Sequence, residues 1–232
     1  MVSVCLAVKN GEAYLQEQID SILPQLRPND ELVISDDHST DDTLSIIDSY
    51  NDQRLRVVSF GGSGVASNFE NCLRHASGDY LFLADQDDVW LPRKVEVMLE
   101  HLSRFDLVVC NCSLTDSQLR VMHDSFFDLH KSGPGLVKNL FRNTYMGCCM
   151  AFHRNVLAKA LPVPAGLPVH DLWLGLTAEM FFKTTFVDEV LVLHRRHSEN
   201  ASTTGRKSTT PILNRIHYRY QILNRLLQLK YV

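Results

Sequence analysis

Three carboxylates, Asp85, Asp87 and Asp88, fall within four positions of "LADQDDVWLP", directly after the apolar run Tyr80-Leu81-Phe82-Leu83-Ala84. Like charges this close repel, so they must be solvated, protonated or neutralised by a cation. Oxygens spaced like those of Asp85 and Asp87 suit Mg²⁺ or Mn²⁺, hard cations that keep coordination positions open for phosphate oxygens. Two further polar clusters follow apolar runs in the same way: Lys9-Asn10-Gly11 after Val2 to Val8, and Asp36-Asp37 after Glu31 to Ser35. Taken singly each has a plain structural explanation, as a turn, a solvated loop or a helix start. A G-x-x-x-x-G-K-[ST] or G-x-G-x-x-G pattern is absent, and Gly61-Gly62-Ser63-Gly64 reads as a loop, so phosphates would be held through metal rather than in a glycine cradle.

The elements that must position these groups follow a repeated grammar. Val2 to Val8 reads as a strand, Asn10-Gly11 as a turn, and Leu15, Ile19, Ile22, Leu23 and Leu26 as one helix face before Pro28. Glu31 to Ser35 is a second strand, Ser39-Thr40-Asp41-Asp42 resembles a capping box, and Leu44 and Ile47 begin a helical stripe. Leu55 to Phe60 is a third strand, Val65, Phe69, Cys72, Leu73 and Ala76 a helix face, and Tyr80 to Ala84 a fourth strand. This alternation predicts a parallel, Rossmann-like sheet over residues 1–110, with a site at the carboxyl ends of its strands. Beyond it, Leu107 to Cys112, Met146 to Phe152 and Phe186 to Leu193 read as strands and Asp171 to Phe182 as a helix, while 113–143 is polar and irregular.

The 232 residues, 45% hydrophobic and 22% charged, suit one large domain with a substantial core. The formal net charge of −4 gives no case for nucleic-acid binding, but it is unevenly placed. No acid follows Glu199, and the basic residues beyond it carry +6, leaving −10 on residues 1–199. Residues 201–232 thus form a basic tail, in which Ile212, Leu213, Ile216, Tyr220, Leu223, Leu226 and Leu227 are expected along one helix face. That face is expected to pack on the domain, and the basic side chains to contact an anionic membrane. The six cysteines form no C-x-x-C pair and read as reduced core residues; with no run resembling a signal or membrane span, the expected compartment is the cytoplasm.

Taken together, these segments resemble the inverting family 2 glycosyltransferases of the GT-A fold, particularly rhamnosyltransferase-like bacterial members. "VSVCLAVKNGEAYLQEQIDSIL" is similar to the opening strand and helix, "ELVISDDHSTDDT" to the base-binding segment, and "ASGDYLFLADQDDVWLPRKV" to the D-x-D region. "GCCMAFHRNVL", "PVHDLWLGL" and "HRRHSENAS" resemble the acceptor-side strand, the catalytic-base segment and the C-terminal active-site loop. A departure is Val8-Lys9, where Thr-Tyr or Ser-Tyr usually precedes Asn10.

The resemblance implies a mixed α/β sheet flanked by helices over 1–200, with a nucleotide-sugar half to about 110 and an acceptor half from 111 to 200. It further implies that Ala7, Lys9 and Asn10 border the base, Asp37 accepts from its imide N–H, and Asp85 faces the ribose and diphosphate while sharing the metal. Asp87 would ligate Mg²⁺ or Mn²⁺, His197 would complete the metal shell, Arg195 or Arg196 would lie near the leaving group, and Asp171 would be the general base. The implied donor is a dTDP- or UDP-linked sugar, with dTDP-rhamnose favoured by family likeness, and the acceptor a glycan or lipid-linked glycan. Two rivals stand beside this: a nucleotidyltransferase, which would need a basic glycine-rich loop after the first strand, and a catalytically silent nucleotide-sugar or glycan-binding subunit.

Overall fold

The computed structural model describes residues 1–164, 167, 170–197, 200 and 212–230, with side chains of 212–216 left out. The N-terminal half runs β1 (Val2–Val8), α1 (Leu15–Ile22), β2 (Glu31–Asp36), α2 (Thr43–Asp48), β3 (Leu55–Val58), α3 (Val65–His75) and β4 (Tyr80–Asp85). A short strand β5 (Val89–Trp90) and helix α4 (Lys94–Leu102) follow, then β6 (Leu107–Thr115), β7 (Val121–His123), α5 (Phe126–His130) and α6 (Leu136–Phe141). The chain closes with β8 (Met150–His153), α7 (Arg154–Ala160), α8 (His170–Phe181), β9 (Thr184–Arg195) and α9 (Ile212–Leu229).

One mixed sheet of order β3-β2-β1-β4-β8-β6-β9-β5 carries all of this, with β7 added to β6. Strands β1 to β4 pair in parallel as expected, Ala7 lying opposite both Ser35 and Asp85. Strand β8 is inserted antiparallel between β4 and β6, and β9 runs parallel to β6. Central strands are buried on both faces, which is why β1, β2 and β4 read as continuous apolar runs. Trp90 and Trp173 are both core residues, and all six cysteines are buried and unpaired.

Several local expectations are corrected. The residues after β4 do not start a helix; they turn into β5, and α4 begins only at Lys94. The Ser39–Asp42 segment forms no capping box: Ser39 Oγ donates to Asp36 Oδ1, while Asp41 holds the Thr43 N–H and hydroxyl. The polar 113–143 stretch contains β7, α5 and α6 and the end of β6. In the tail, 201–211 lie outside the described residues, whereas α9 buries Ile222 and Leu226 and leaves Tyr220, Leu223 and Leu227 exposed. Among the described side chains of the expected face only Leu226 is buried; the docked side of the helix, with Ile222, is rotated by about a third of a turn from Tyr220, Leu223 and Leu227.

Candidate active site

The carboxyl ends of β1, β2 and β4 converge, and their loops are tied to one another by side chains. Lys9 N–H donates to Gln86 Oε1 at 2.7 Å and Gln86 Nε2 returns a bond to the Lys9 carbonyl at 2.9 Å. Gln18, fully buried on α1, donates to the Asp85 carbonyl at 2.7 Å. Asn10 lies at φ 49°, a left-handed conformation that asparagine tolerates, and its Oδ1 accepts from Thr40 N–H. Ala7, Lys9 and Asn10 thus border the rim, although Asn10 spends its side chain on the neighbouring loop.

Asp37 is buried, and its Oδ2 accepts from Gly64 N–H at 3.0 Å and from Lys9 Nζ at 3.3 Å, while Oδ1 meets no protein donor. An unpartnered carboxylate oxygen is costly unless a ligand donates to it. The glycine loop read as a plain connection therefore has a specific task. Gly64 sits at φ 91°, a region open to glycine, and aims its N–H at Asp37.

Asp85, Asp87 and Asp88 diverge in role. Asp88 is fully buried; its Oδ1 accepts from His194 Nδ1 at 2.9 Å and from Arg195 N–H at 3.1 Å, and its Oδ2 has no protein partner. Burial opposes both charges, yet Asp88 is held below and His194 well above its ordinary value, because each faces the other's charge. Asp87 Oδ2 meets His197 Nε2 at 2.8 Å and Asn200 Nδ2 at 2.8 Å. Its carboxyl is pushed upward by burial and by Asp88. Asp85 is raised to about 8 by burial, then by Asp88 and Asp87, with Asp171 adding to the repulsion. The rim is short of positive charge.

Arg195 does not relieve it. Only 3% exposed, it donates through Nε to the Asp87 carbonyl at 2.9 Å, through Nη1 to the Ser117 carbonyl at 2.7 Å and through Nη2 to Glu17, with its guanidinium 4.4 Å over the Tyr14 ring. Tyr14 in turn packs on His197, ring centroids 4.9 Å apart. Arg195 is thereby fixed as the bolt between α1, the acidic loop and β9. Arg196 sits beside it, its N–H donating to the Thr115 carbonyl at 2.8 Å.

Asp171 stands at the first turn of α8, half-buried, its Oδ1 accepting from Leu172 N–H at 2.6 Å. Burial raises it to about 6, against hydrogen bonds from the Leu172 amide and from Asn143 that favour the charge. Beside it, His170 stacks on Phe69 of α3 with centroids 4.1 Å apart, and burial lowers it to about 4, leaving a neutral ring with an unpartnered Nε2. This stack joins α8 to α3 of the N-terminal half.

A glycosyl transferase family 2 model matches residues 3–161. The chain belongs to that family. Among relatives, it is 30% identical over 190 residues to the putative teichuronic acid biosynthesis glycosyltransferase TuaG of Bacillus subtilis, covering 78% of this chain and 73% of that one. It is 30% identical over 184 residues to the E. coli UDP-Glc:alpha-D-GlcNAc-diphosphoundecaprenol beta-1,3-glucosyltransferase WfgD, covering 76% and 69%. An uncharacterized glycosyltransferase of Rickettsia felis is 30% identical over 219 residues, 87% of this chain but only 35% of that protein. The solved structure of S. aureus TarS 1-349 with UDP-GlcNAc superposes with TM-score 0.69 at 17% identity, covering 99% of this chain and 72% of that one. The mannosyltransferase PcManGT of Pyrobaculum calidifontis, in complex with GDP-Man and Mn²⁺, gives 0.67 at 18% identity, covering 98% and 73%. The fold is that of the GT-A neighbours.

Family membership sharpens the question of the metal. Among the described residues, Asp85, Asp88, Cys148 and His194 bring ligand-type atoms within 4.8 Å of one another. That set mixes a soft thiol with an already paired Asp88 and His194, a poor match to Mg²⁺ or Mn²⁺. Asp85 and Asp87, with His197 already at the Asp87 oxygen, offer hard oxygens and one imidazole. This donor set and its unrelieved repulsion fit a divalent cation. Sequence reasoning singled out Asp88 without giving it a separate role, and missed Glu17, Gln18, Gln86, Asn200 and the His170–Phe69 stack. Buried polar residues inside apolar stripes, such as Gln18, were the available signal.

Proposed function

We propose that this family 2 enzyme is an inverting, metal-dependent hexosyltransferase. It takes a sugar from a nucleotide-diphosphate donor and places it on a hydroxyl of a lipid-linked precursor of a cell-surface glycan. Asp85 and Asp87, with His197, would hold Mg²⁺ or Mn²⁺, whose charge would offset that of the departing diphosphate. Asp37, with its unpartnered Oδ1, would take the imide N–H of a uracil or thymine, Ala7 and Lys9 framing the ring. Family likeness favours dTDP-rhamnose; the name of the E. coli relative supports a UDP-hexose and an undecaprenyl-diphosphate-linked acceptor.

The carrying observation is the placement of Asp171, half-buried at the first turn of α8 with Oδ1 accepting from Leu172 N–H, where burial raises it to about 6. A carboxylate of that basicity is ionised at neutral pH yet far more basic than a solvated one. It would remove the acceptor hydroxyl proton as that oxygen forms its bond to the anomeric carbon and the carbon–diphosphate bond breaks on the opposite face. One displacement inverts the configuration. Arg195, with its guanidinium engaged, acts by fixing the acidic loop. Incubation with dTDP-rhamnose, UDP-glucose and UDP-GlcNAc with and without Mn²⁺, followed by assignment of the product anomer, tests the reading. Donor turnover that ignores Mn²⁺, or a retained anomer, refutes it.

A further inference from the structure

Helices α6 and α9 both pack on α8 and meet where Arg219 Nη2 donates to the Phe141 carbonyl at 2.5 Å. Each turns apolar side chains to solvent. On α6, Val137 and Phe141 are one turn apart and 67% and 64% exposed; on α9, Tyr220, Leu223 and Leu227 form a stripe 66%, 39% and 44% exposed. A different side of α9 docks on the domain, through buried Ile222 and Leu226 with Tyr218 and Leu229 packed against the core.

The charge carried by the two helices is of one sign, the nearest acid being Glu179 of α8, which accepts from Gly135 N–H and Asn139. Lys138, Arg142 and Lys230 are exposed beside these stripes, Arg219 is half-buried between them, and neither helix contains an acid. A second copy of the chain docking face to face would bring these cations together, which disfavours pairing. An apolar strip rimmed by lysine and arginine fits the boundary between acyl chains and anionic headgroups.

We infer that α6 and α9 form the surface by which the enzyme rests on an anionic membrane. The surface lies on the acceptor half, flanking the helix that starts at Asp171. This gives the proposed lipid-linked acceptor a short route to the base. It rests on the transferase reading for its purpose alone, because membrane binding is measured without donor, metal or acceptor.

The test is co-sedimentation of the full chain with vesicles of phosphatidylcholine alone or mixed with phosphatidylglycerol, at about 0.05 M and about 0.5 M salt. Binding is expected only to the phosphatidylglycerol vesicles, with loss at the higher salt. Lys138→Gln with Lys230→Gln should weaken partitioning by roughly fivefold per charge removed. Phe141→Ser with Tyr220→Ser should weaken it at least tenfold, with an unchanged thermal midpoint reporting an intact fold. Equal binding to both vesicle types, no binding to either, or a concentration-dependent dimer abolished by the serine substitutions would overturn the inference.

Discussion

Asp171→Asn should make the protein more stable and the enzyme nearly inactive, an opposition that a merely structural carboxylate would not produce. The folded protein holds the Asp171 proton to about 6, against an ordinary value of 3.8. A carboxyl raised by folding contributes stability that is fully present below the unfolded value and is lost as pH climbs through the folded one. Here that window is about pH 4 to 6. The shift of roughly two pH units corresponds to at most about 3 kcal/mol at 1.36 kcal/mol per unit. Asparagine cannot ionise, so above pH 7 the variant should escape that cost. At roughly 2–4 °C per kcal/mol for a chain of this size, its thermal midpoint should rise by several degrees at pH 7.5 and by little at pH 4. Scanning calorimetry at both pH values, without divalent metal or donor, reads this directly. Transfer should fall about 10²–10⁴-fold in the same variant, and the parent's rate should show an acidic limb near pH 6. An equal change in midpoint at both pH values, or transfer within tenfold of the parent, would refute the assignment.

Asp87→Asn should abolish Mn²⁺-dependent transfer while Asp85→Asn weakens it less, since Asp87 is the carboxylate already in contact with His197; isothermal titration with Mn²⁺ checks the order. Gly175→Ala should cost about 1–3 kcal/mol, because the added Cβ would stand 2.4 Å from Cζ of buried Tyr145, whereas Gly61→Ala, with open space around it, should be near neutral by urea unfolding.

The N-terminal half was legible because its strands are buried on both faces and its helices keep a clean 3.6-residue stripe. Their carboxyl ends therefore located Lys9, Asp37, Asp85 and Asp87 on one rim before any coordinates. What escaped was chemistry decided across long separations. Nothing in "HRRHSENAS" tells that Arg195 points inward to Glu17 and Asp87, since burial of a guanidinium depends on partners far away in sequence. Short elements such as β7, with its three exposed residues, carry too few periods to stand out from polar loop. In α9 the apolar residues cover so much of the helix that their pattern did not tell which side docks, and Ile222, fully buried, lay outside the expected face.

The pairing of β9 with the acidic loop also has a meaning in time. Asp87 meets His197, Asp88 meets His194 and Arg195 meets Glu17 across 110, 106 and 178 residues of chain. Contacts of such separation form late, after local units have closed, because the intervening loops must be ordered first. During synthesis, β1 to β4 emerge and can pair while the metal-site partners on the C-terminal side have not yet been made. The nascent chain thus carries Asp85, Asp87 and Asp88 without the imidazoles and guanidinium that hold two of them in place. On the proposed reading, the metal site would be complete only after β9, the last strand in the chain, has paired with β6.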